Sequence, residues 1–302
     1  MFLGGIGFFD SGVGGLSVLH ACMGETRGLP VYYYGDNARA PYGNRNIDEI
    51  RAYAHEAFHF FEKCGARAAV VACNTVTSLL IDELRRCYSF PIVGVEPALL
   101  PAVKSCQNVL VLATHATVGS ERFQELLHRA QKARPTAEIR VVGCRRLAKA
   151  VEQGCENGKM KIDGLLPPAV ADGVVLGCTH YSWIRSEIET YYNAQVFDGN
   201  DAVAKRLGEV LDDVWRTQEE NAVARQKANA LKKLRDLSFL SCKKRQKKHF
   251  FHPKKRTNVC KIKSAQTLYF LGSGRILNLQ FCERMFVFGS ARFKSGQIFP
   301  KL

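Results

Sequence analysis

Val70-Val71-Ala72-Cys73-Asn74-Thr75 has an echo, with the cysteines 105 residues apart, in Val174-Val175-Leu176-Gly177-Cys178-Thr179-His180. Each copy is an apolar run that ends in a small residue, then a cysteine, then polar residues able to open a helix. A short apolar run of this kind is the pattern of a strand buried on both faces. Two copies point to two related half-units facing each other; a chance match over six residues is the competing reading.

Outward from these two stretches, β-rich runs fall at 5–9, 31–34, 68–72, 92–95, 109–113, 138–142, 173–177 and 195–197. Amphipathic stretches at 47–64, 76–87, 120–133 and 183–192 lie between them. Strand–helix alternation predicts parallel sheets covered by helices on both faces. Eight strands in this length suit two small α/β units better than one sheet. The expected fold class is therefore α/β, with two similar parallel-sheet domains facing each other across an active-site cleft. Pro97 and Pro101 end the fourth strand and mark a crossing between domains; the chain crosses back near 198–205. The expected domains are 1–96 plus 206–302, discontinuous, and 97–205.

The composition agrees with a folded protein. The chain has 302 residues, 46% hydrophobic, 10% aromatic and 24% charged, which excludes a disordered or collagen-like chain. No run approaches the ~20 apolar residues of a membrane-spanning helix. The apolar opening is cut short by Asp10 and lacks a basic leader, so it reads as a first strand and the expected compartment is the cytoplasm. Eleven cysteines are an odd number, with no C-x-x-C pair. Neither a disulfide framework nor a zinc ribbon is expected, and no metal.

The net charge of +15 is uneven. Residues 237–282 hold eleven Lys or Arg and no acid, which leaves about +4 for everything else. Lys243-Lys244-Arg245 and Lys254-Lys255-Arg256 sit among Phe239, Phe250 and Phe251. Such a patch can bind phosphates and stack bases, but a solvated, poorly ordered insertion near 238–263 is the commoner explanation. A helical pattern runs from 219 to about 237. The end reads as a strand at 267–271 and a helix at 276–288.

Four motifs can carry chemistry. Asp10-Ser11-Gly12-Val13-Gly14-Gly15 follows the first strand and opens a helix, where backbone amides favour an anion. Ser17 stands where a dinucleotide loop needs its third glycine, so that reading fails. Pro41-Tyr42-Gly43 lies after the second strand, on the same sheet edge as Asp10. Open α/β sheets bind ligands at that edge. Cys73-Asn74-Thr75 and Cys178-Thr179-His180 place a thiol at each of two helix starts. A cysteine there is most often a small buried hydrophobe, but a helix N-terminus also brings a thiol pKa toward neutrality. Two opposed acid/base thiols could take a proton from one face of a carbon and return one to the other, inverting it. A nucleophilic cysteine hydrolase would need one Cys and a His base instead. His180 could hold or relay a proton.

Asp10-Ser11-Gly12-Val13-Gly14-Gly15-Leu16, Pro41-Tyr42-Gly43, Ala72-Cys73-Asn74-Thr75 and Gly177-Cys178-Thr179-His180-Tyr181 together resemble the glutamate racemases of the aspartate/glutamate racemase family, in order and near spacing. The resemblance covers about 1–215. It implies two flavodoxin-like domains and a cofactor-independent isomerase that interconverts L- and D-glutamate, supplying D-glutamate for peptidoglycan, cell wall biogenesis and cell shape. It implies that Cys73 and Cys178 are the two acid/base groups and that Asp10 and His180 assist. It implies that Asp10, Ser11, Tyr42, Gly43, Asn74, Thr75, Thr117, Glu152, Thr179 and His180 hold the substrate. Partners implied are glutamate itself and a homodimeric copy. A racemase for aspartate or another acidic amino acid is the near alternative. Ser182 stands where the family usually has proline, and the segment from Glu152 to Cys178 is several residues shorter.

Overall fold

The computed structural model describes residues 4–157, 160, 162, 164–243, 267–272, 275–280, 285–288 and 291–294. In chain order the elements are β1 (Ile6–Asp10), α1 (Leu16–Cys22), β2 (Val31–Gly35), α2 (Ile47–Lys63), β3 (Ala68–Val71), α3 (Asn74–Cys87) and β4 (Ile92–Gly94). Then come α4 (Leu99–Ser105), β5 (Asn108–Ala113), α5 (His115–Val118), α6 (Glu121–Ala133), β6 (Glu138–Gly143), α7 (Leu147–Asn157), β7 (Gly173–Gly177), α8 (Arg185–Tyr192) and β8 (Gln195–Phe197). The long helix α9 (Asn200–Lys243) and strands β9 (Thr267–Gly272), β10 (Arg275–Gln280), β11 (Met285–Phe288) and β12 (Ala291–Lys294) follow.

Two sheets repeat one topology. The first runs β10-β9-β2-β1-β3-β4 and the second β6-β5-β7-β8. In each, the first strand of the half lies between the second and the third, and the fourth lies outside the third. The pairings are parallel throughout, apart from β9 with β10. The echo between 70–75 and 174–180 is thus a repeat of place: both cysteines follow the third strand of their half. Met1–Gly208 with Ala265–Leu302 form one compact unit, which holds both sheets; Glu209–Ser264 form a second.

The strand residues account for the layers. All five residues of β1 and of β7 are buried, as continuous apolar runs require when helices cover both faces of a parallel sheet. Helix α2 buries Ile50, Ala54, Ala57, Phe58 and Phe61, a spacing that puts one apolar stripe on the sheet. Its start is fixed by a capping box: Asn46 Oδ1 accepts from Asp48 N at 2.8 Å and Glu49 from Asn46 N at 3.3 Å. Phe58 and Phe61 pack with Phe9, Leu80, Ile81 and Leu84 in the first core. In the second half, Leu147, Val151, Tyr181, Ile184 and Ile188 pack on one face of the sheet, and Leu99, Val103, Phe123 and Leu126 on the other. Packing behind Cys178 is therefore closed despite Ser182: Tyr181 and Ile184 are fully buried.

Gly7 of β1 lies under the Phe61 ring, and a Cβ there would stand 2.6 Å from ring carbons. Gly7→Ala is expected to cost about 1–3 kcal/mol by overpacking, read as a lower urea midpoint. An unchanged midpoint would show that the ring moves aside freely.

Three expectations are corrected. The helix expected over 276–288 is replaced at the described residues by strand: 275–280 are β10, antiparallel to β9, and 285–288 are β11. Gly272-Ser273-Gly274 is a hairpin signal between two β-rich runs, and it outweighs the helical reading. The helix expected over 183–192 is a 3-10 turn (Thr179–Ile184) and then α8, so Cys178 precedes a tight turn rather than a full α-helix. The helical pattern expected from 219 belongs to α9, which starts at Asn200. Of the basic insertion, 238–243 close α9 and 244–263 lie outside the described residues. No described helix is long and apolar enough to cross a membrane.

Candidate active site

In an open α/β sheet the crevice opens at the carboxyl ends of the strands, where the strand order reverses. Here that point lies between β1 and β3 in one half and between β5 and β7 in the other. Four short segments follow those strands: Asp10-Ser11, Cys73-Asn74-Thr75, Thr114 and Cys178-Thr179-His180. Hydrogen bonds join them into one buried polar cluster.

Asp10 is fully buried and its Oδ2 accepts from Gly12 N and Gly15 N, both at 3.0 Å. Its Oδ1 accepts from Thr179 Oγ1 at 3.2 Å. Glu152 takes a third amide, Val13 N, at 3.3 Å. Three amides of the glycine loop, those of Gly12, Val13 and Gly15, are thus bonded to carboxylates of the chain. Burial raises the Asp10 pKa, against the His180 charge and the two amides that lower it.

The two thiols have different surroundings. Cys73 donates to Ser11 Oγ at 3.6 Å. Burial, with the Asp10 charge adding to it, pushes the Cys73 thiol up to about 12. The helix N-terminus supplies one amide, from Val76, that acts the other way and loses. The expected drift toward neutrality is therefore reversed for Cys73, because desolvation outweighs a few partial charges. The Cys178 charge also raises Cys73, so the two sulfurs lie within electrostatic reach of each other.

Cys178 Sγ lies 3.7 Å from His180 Nδ1, and His180 Nε2 lies 2.5 Å from Glu152 Oε2. Burial works against the imidazolium, but the Cys178 sulfur and the Glu152 carboxylate outweigh it and hold the His180 pKa well above its ordinary value. This side of the cluster is a buried relay of sulfur, ring and carboxylate.

The remaining expected residues surround the cluster. Thr75 Oγ1 meets Thr114 Oγ1 at 3.0 Å, and Thr114 Oγ1 meets Thr117 Oγ1 at 2.9 Å. Gly43 packs against Thr114; a Cβ on it would stand 2.6 Å from Thr114 Cβ. Tyr42 is buried, with its hydroxyl bonded to Asp36, which also pairs with Arg39 at 2.6 Å. Asn74 is 3% exposed and its Nδ2 is buried with no hydrogen-bond partner among the described residues. Among the described residues, no three His, Cys, Asp or Glu side chains are grouped to hold a metal.

Sequence reasoning missed Asp36, Asn37 and Thr114. Thr114 follows β5 as Ser11 follows β1, so the internal repeat itself was a signal for it. Asn37 donates to Glu152 Oε1 at 2.9 Å; nothing in the local sequence announces that contact across 115 residues.

The fold and site define a class: a two-lobed α/β protein in which each lobe offers one buried thiol, after its third strand, to a shared polar cluster. Residues 11–207 match the family model described as Asp/Glu/Hydantoin racemase, and the chain belongs to that family. A glutamate racemase of Clostridium botulinum (strain Okra) is 36% identical over 230 residues, covering 73% of this chain and 88% of its own. One from Clostridium perfringens is 36% identical over 220 residues, covering 69% and 83%. Among solved structures, Escherichia coli glutamate racemase, in complex with L-glutamate and the activator UDP-MurNAc-ala, matches with a TM-score of 0.63 at 29% identity. It covers 70% of this chain and 83% of its own. Campylobacter jejuni glutamate racemase matches with a TM-score of 0.53 at 31% identity, covering 68% and 84%.

Proposed function

We propose that the protein is a cofactor-independent glutamate racemase working by two-thiol proton transfer. The observation that carries this is the placement of Cys73 and Cys178, each after the third strand of its half and each bonded within the buried polar cluster around Asp10. The glutamate racemases among its relatives support glutamate over aspartate as substrate.

In this reading one sulfur enters the cycle as thiolate and the other as thiol. The thiolate takes the Cα proton, the electron pair passes into the planar carbanion, and the opposite thiol returns a proton to the other face. The negative charge moves from one cysteine to the other, and no atom is gained or lost. His180, held as a cation, faces the Cys178 side. Among the described residues no such cation is bonded to Cys73, which is held as thiol by burial and Asp10. A substrate ammonium beside Asp10 supplies the missing positive charge and lets Cys73 ionise. Asn74 Nδ2 donates to a substrate carboxylate. Ser11, Thr75, Thr117, Thr179, Tyr42 and Gly43 complete the pocket, with Asp10, Glu152 and His180 at its charged side.

The finer reading follows from the same assignment. The enzyme supplies D-glutamate for peptidoglycan, and so for the cell wall and cell shape, in the cytoplasm. Its domains are 1–96 plus 206–302 and 97–205, and it works as a homodimer. No nucleic-acid role is proposed for the basic segment near 238–263. The deciding experiment is conversion of L- and D-glutamate by the purified protein with no pyridoxal phosphate or metal added. Interconversion in both directions is expected, with aspartate a poor substrate. Conversion of aspartate alone would move the assignment to the near alternative, and conversion of neither would overturn it.

A further inference from the structure

We propose that Asn37 is a positioning residue for the Cys178 half of the site: its side-chain amide fixes Glu152, and through Glu152 the imidazolium that faces the Cys178 sulfur. The proposal rests on the racemase reading above.

Glu152 comes from α7 and is 5% exposed. A buried carboxylate is stable as an anion only when donors meet its oxygens. Oε2 receives His180 Nε2 at 2.5 Å and Val13 N at 3.3 Å. Oε1 receives Asn37 Nδ2 at 2.9 Å and no other donor among the described residues. Asn37 opens a 3-10 turn (Asn37–Arg39) directly after β2, and so belongs to the other sheet from Glu152. The Asn37 side-chain amide, like the Val13 backbone amide, thus crosses from one half of the fold to the relay of the other.

Without that donor, half of the carboxylate is left unpaired in a dry site. The least costly repair is for Glu152 to take the proton it shares with His180, or to turn toward other donors. Either change removes the cation that faces Cys178 Sγ at 3.7 Å. Asp10 and the Tyr33 hydroxyl also feel the Glu152 charge, but neither donates to it. Cys73, with Ser11 as its partner, lies outside this chain of contacts. Asn37 therefore acts on one of the two proton transfers.

The test compares wild type, Asn37→Ala and Asn37→Asp. Aspartate has the shape of asparagine but replaces the donor with a second carboxylate. A charge-assisted hydrogen bond corresponds to about a tenfold loss of kcat/KM for Asn37→Ala, and Asn37→Asp is expected to lose more. Racemisation has an equilibrium constant of one, so kcat/KM falls equally in both directions. The discriminating readout is the primary isotope effect with substrate deuterated at Cα. For the enantiomer whose Cα hydrogen faces Cys178 the effect should rise, and for its mirror image it should fall. These are ratios and do not depend on the fraction of folded enzyme. Isotope effects unchanged for both enantiomers, or Asn37→Asp matching wild type, would overturn the positioning role while leaving the racemase reading intact. Absence of interconversion by wild type would overturn both.

Discussion

Cys73→Ala and Cys178→Ala are each expected to lower kcat/KM for glutamate interconversion by about 10³- to 10⁴-fold, in both directions. The magnitude is that of losing a positioned acid or base from a proton transfer. The equal loss in the two directions follows from the equilibrium constant of one; the informative part is that each single variant suffers a loss of this size. If each thiol serves one face of the same carbon, either enantiomer needs both: one to remove the proton and one to replace it. Cys73 is buried beside Ser11 and Cys178 beside His180. Cys106, buried with its thiol donating to the Asp172 carbonyl at 3.5 Å, is the matched control. Cys106→Ala should leave kcat/KM within about threefold, since distant surface and core changes act mainly on stability. Near-normal conversion by both single variants would remove the two-thiol assignment.

The second large effect concerns Glu152. Glu152→Gln keeps the shape but removes the anion from a buried ion pair, with side-chain exposures of 2% and 6%. Breaking such a pair from one side costs about 3–5 kcal/mol, because the surviving charge stays buried without a partner. The pH dependence carries the sign. The folded-state pKa of His180 is raised above its ordinary 6.5, through the Cys178 sulfur and Glu152, in spite of burial. Its stabilisation is therefore fully present below the unfolded pKa and is lost as pH rises through the folded pKa. Urea denaturation of wild type and Glu152→Gln should show the largest gap near pH 6 and a narrowing gap at strongly alkaline pH. A gap independent of pH would mean that the pair is not ionic and that His180 rests neutral.

The main frame of the fold was legible because buried parallel strands are continuous apolar runs. Val70–Val71 and Val174–Val175 announced themselves, and their cysteines fixed the same sheet edge in both halves. Asp10, at the end of β1, was placed by the same rule. What the sequence concealed is of two kinds. The Asn37–Glu152 and Thr75–Thr114 contacts join residues far apart in the chain, and no local pattern encodes them. The Cys73 pKa was misjudged because helix position is visible in sequence and desolvation is not. At the C-terminal end, Ile276-Leu277-Asn278-Leu279 fits a helix or a strand in isolation; its pairing with β9 decides for strand.

The most direct measurement is Cα deuterium at early conversion in D2O, starting separately from L- and D-glutamate. Two thiols on opposite faces predict that the newly formed enantiomer carries solvent deuterium while the recovered starting enantiomer keeps its original hydrogen. Deuterium appearing equally in the recovered substrate would place both transfers on one exchanging base and contradict the account.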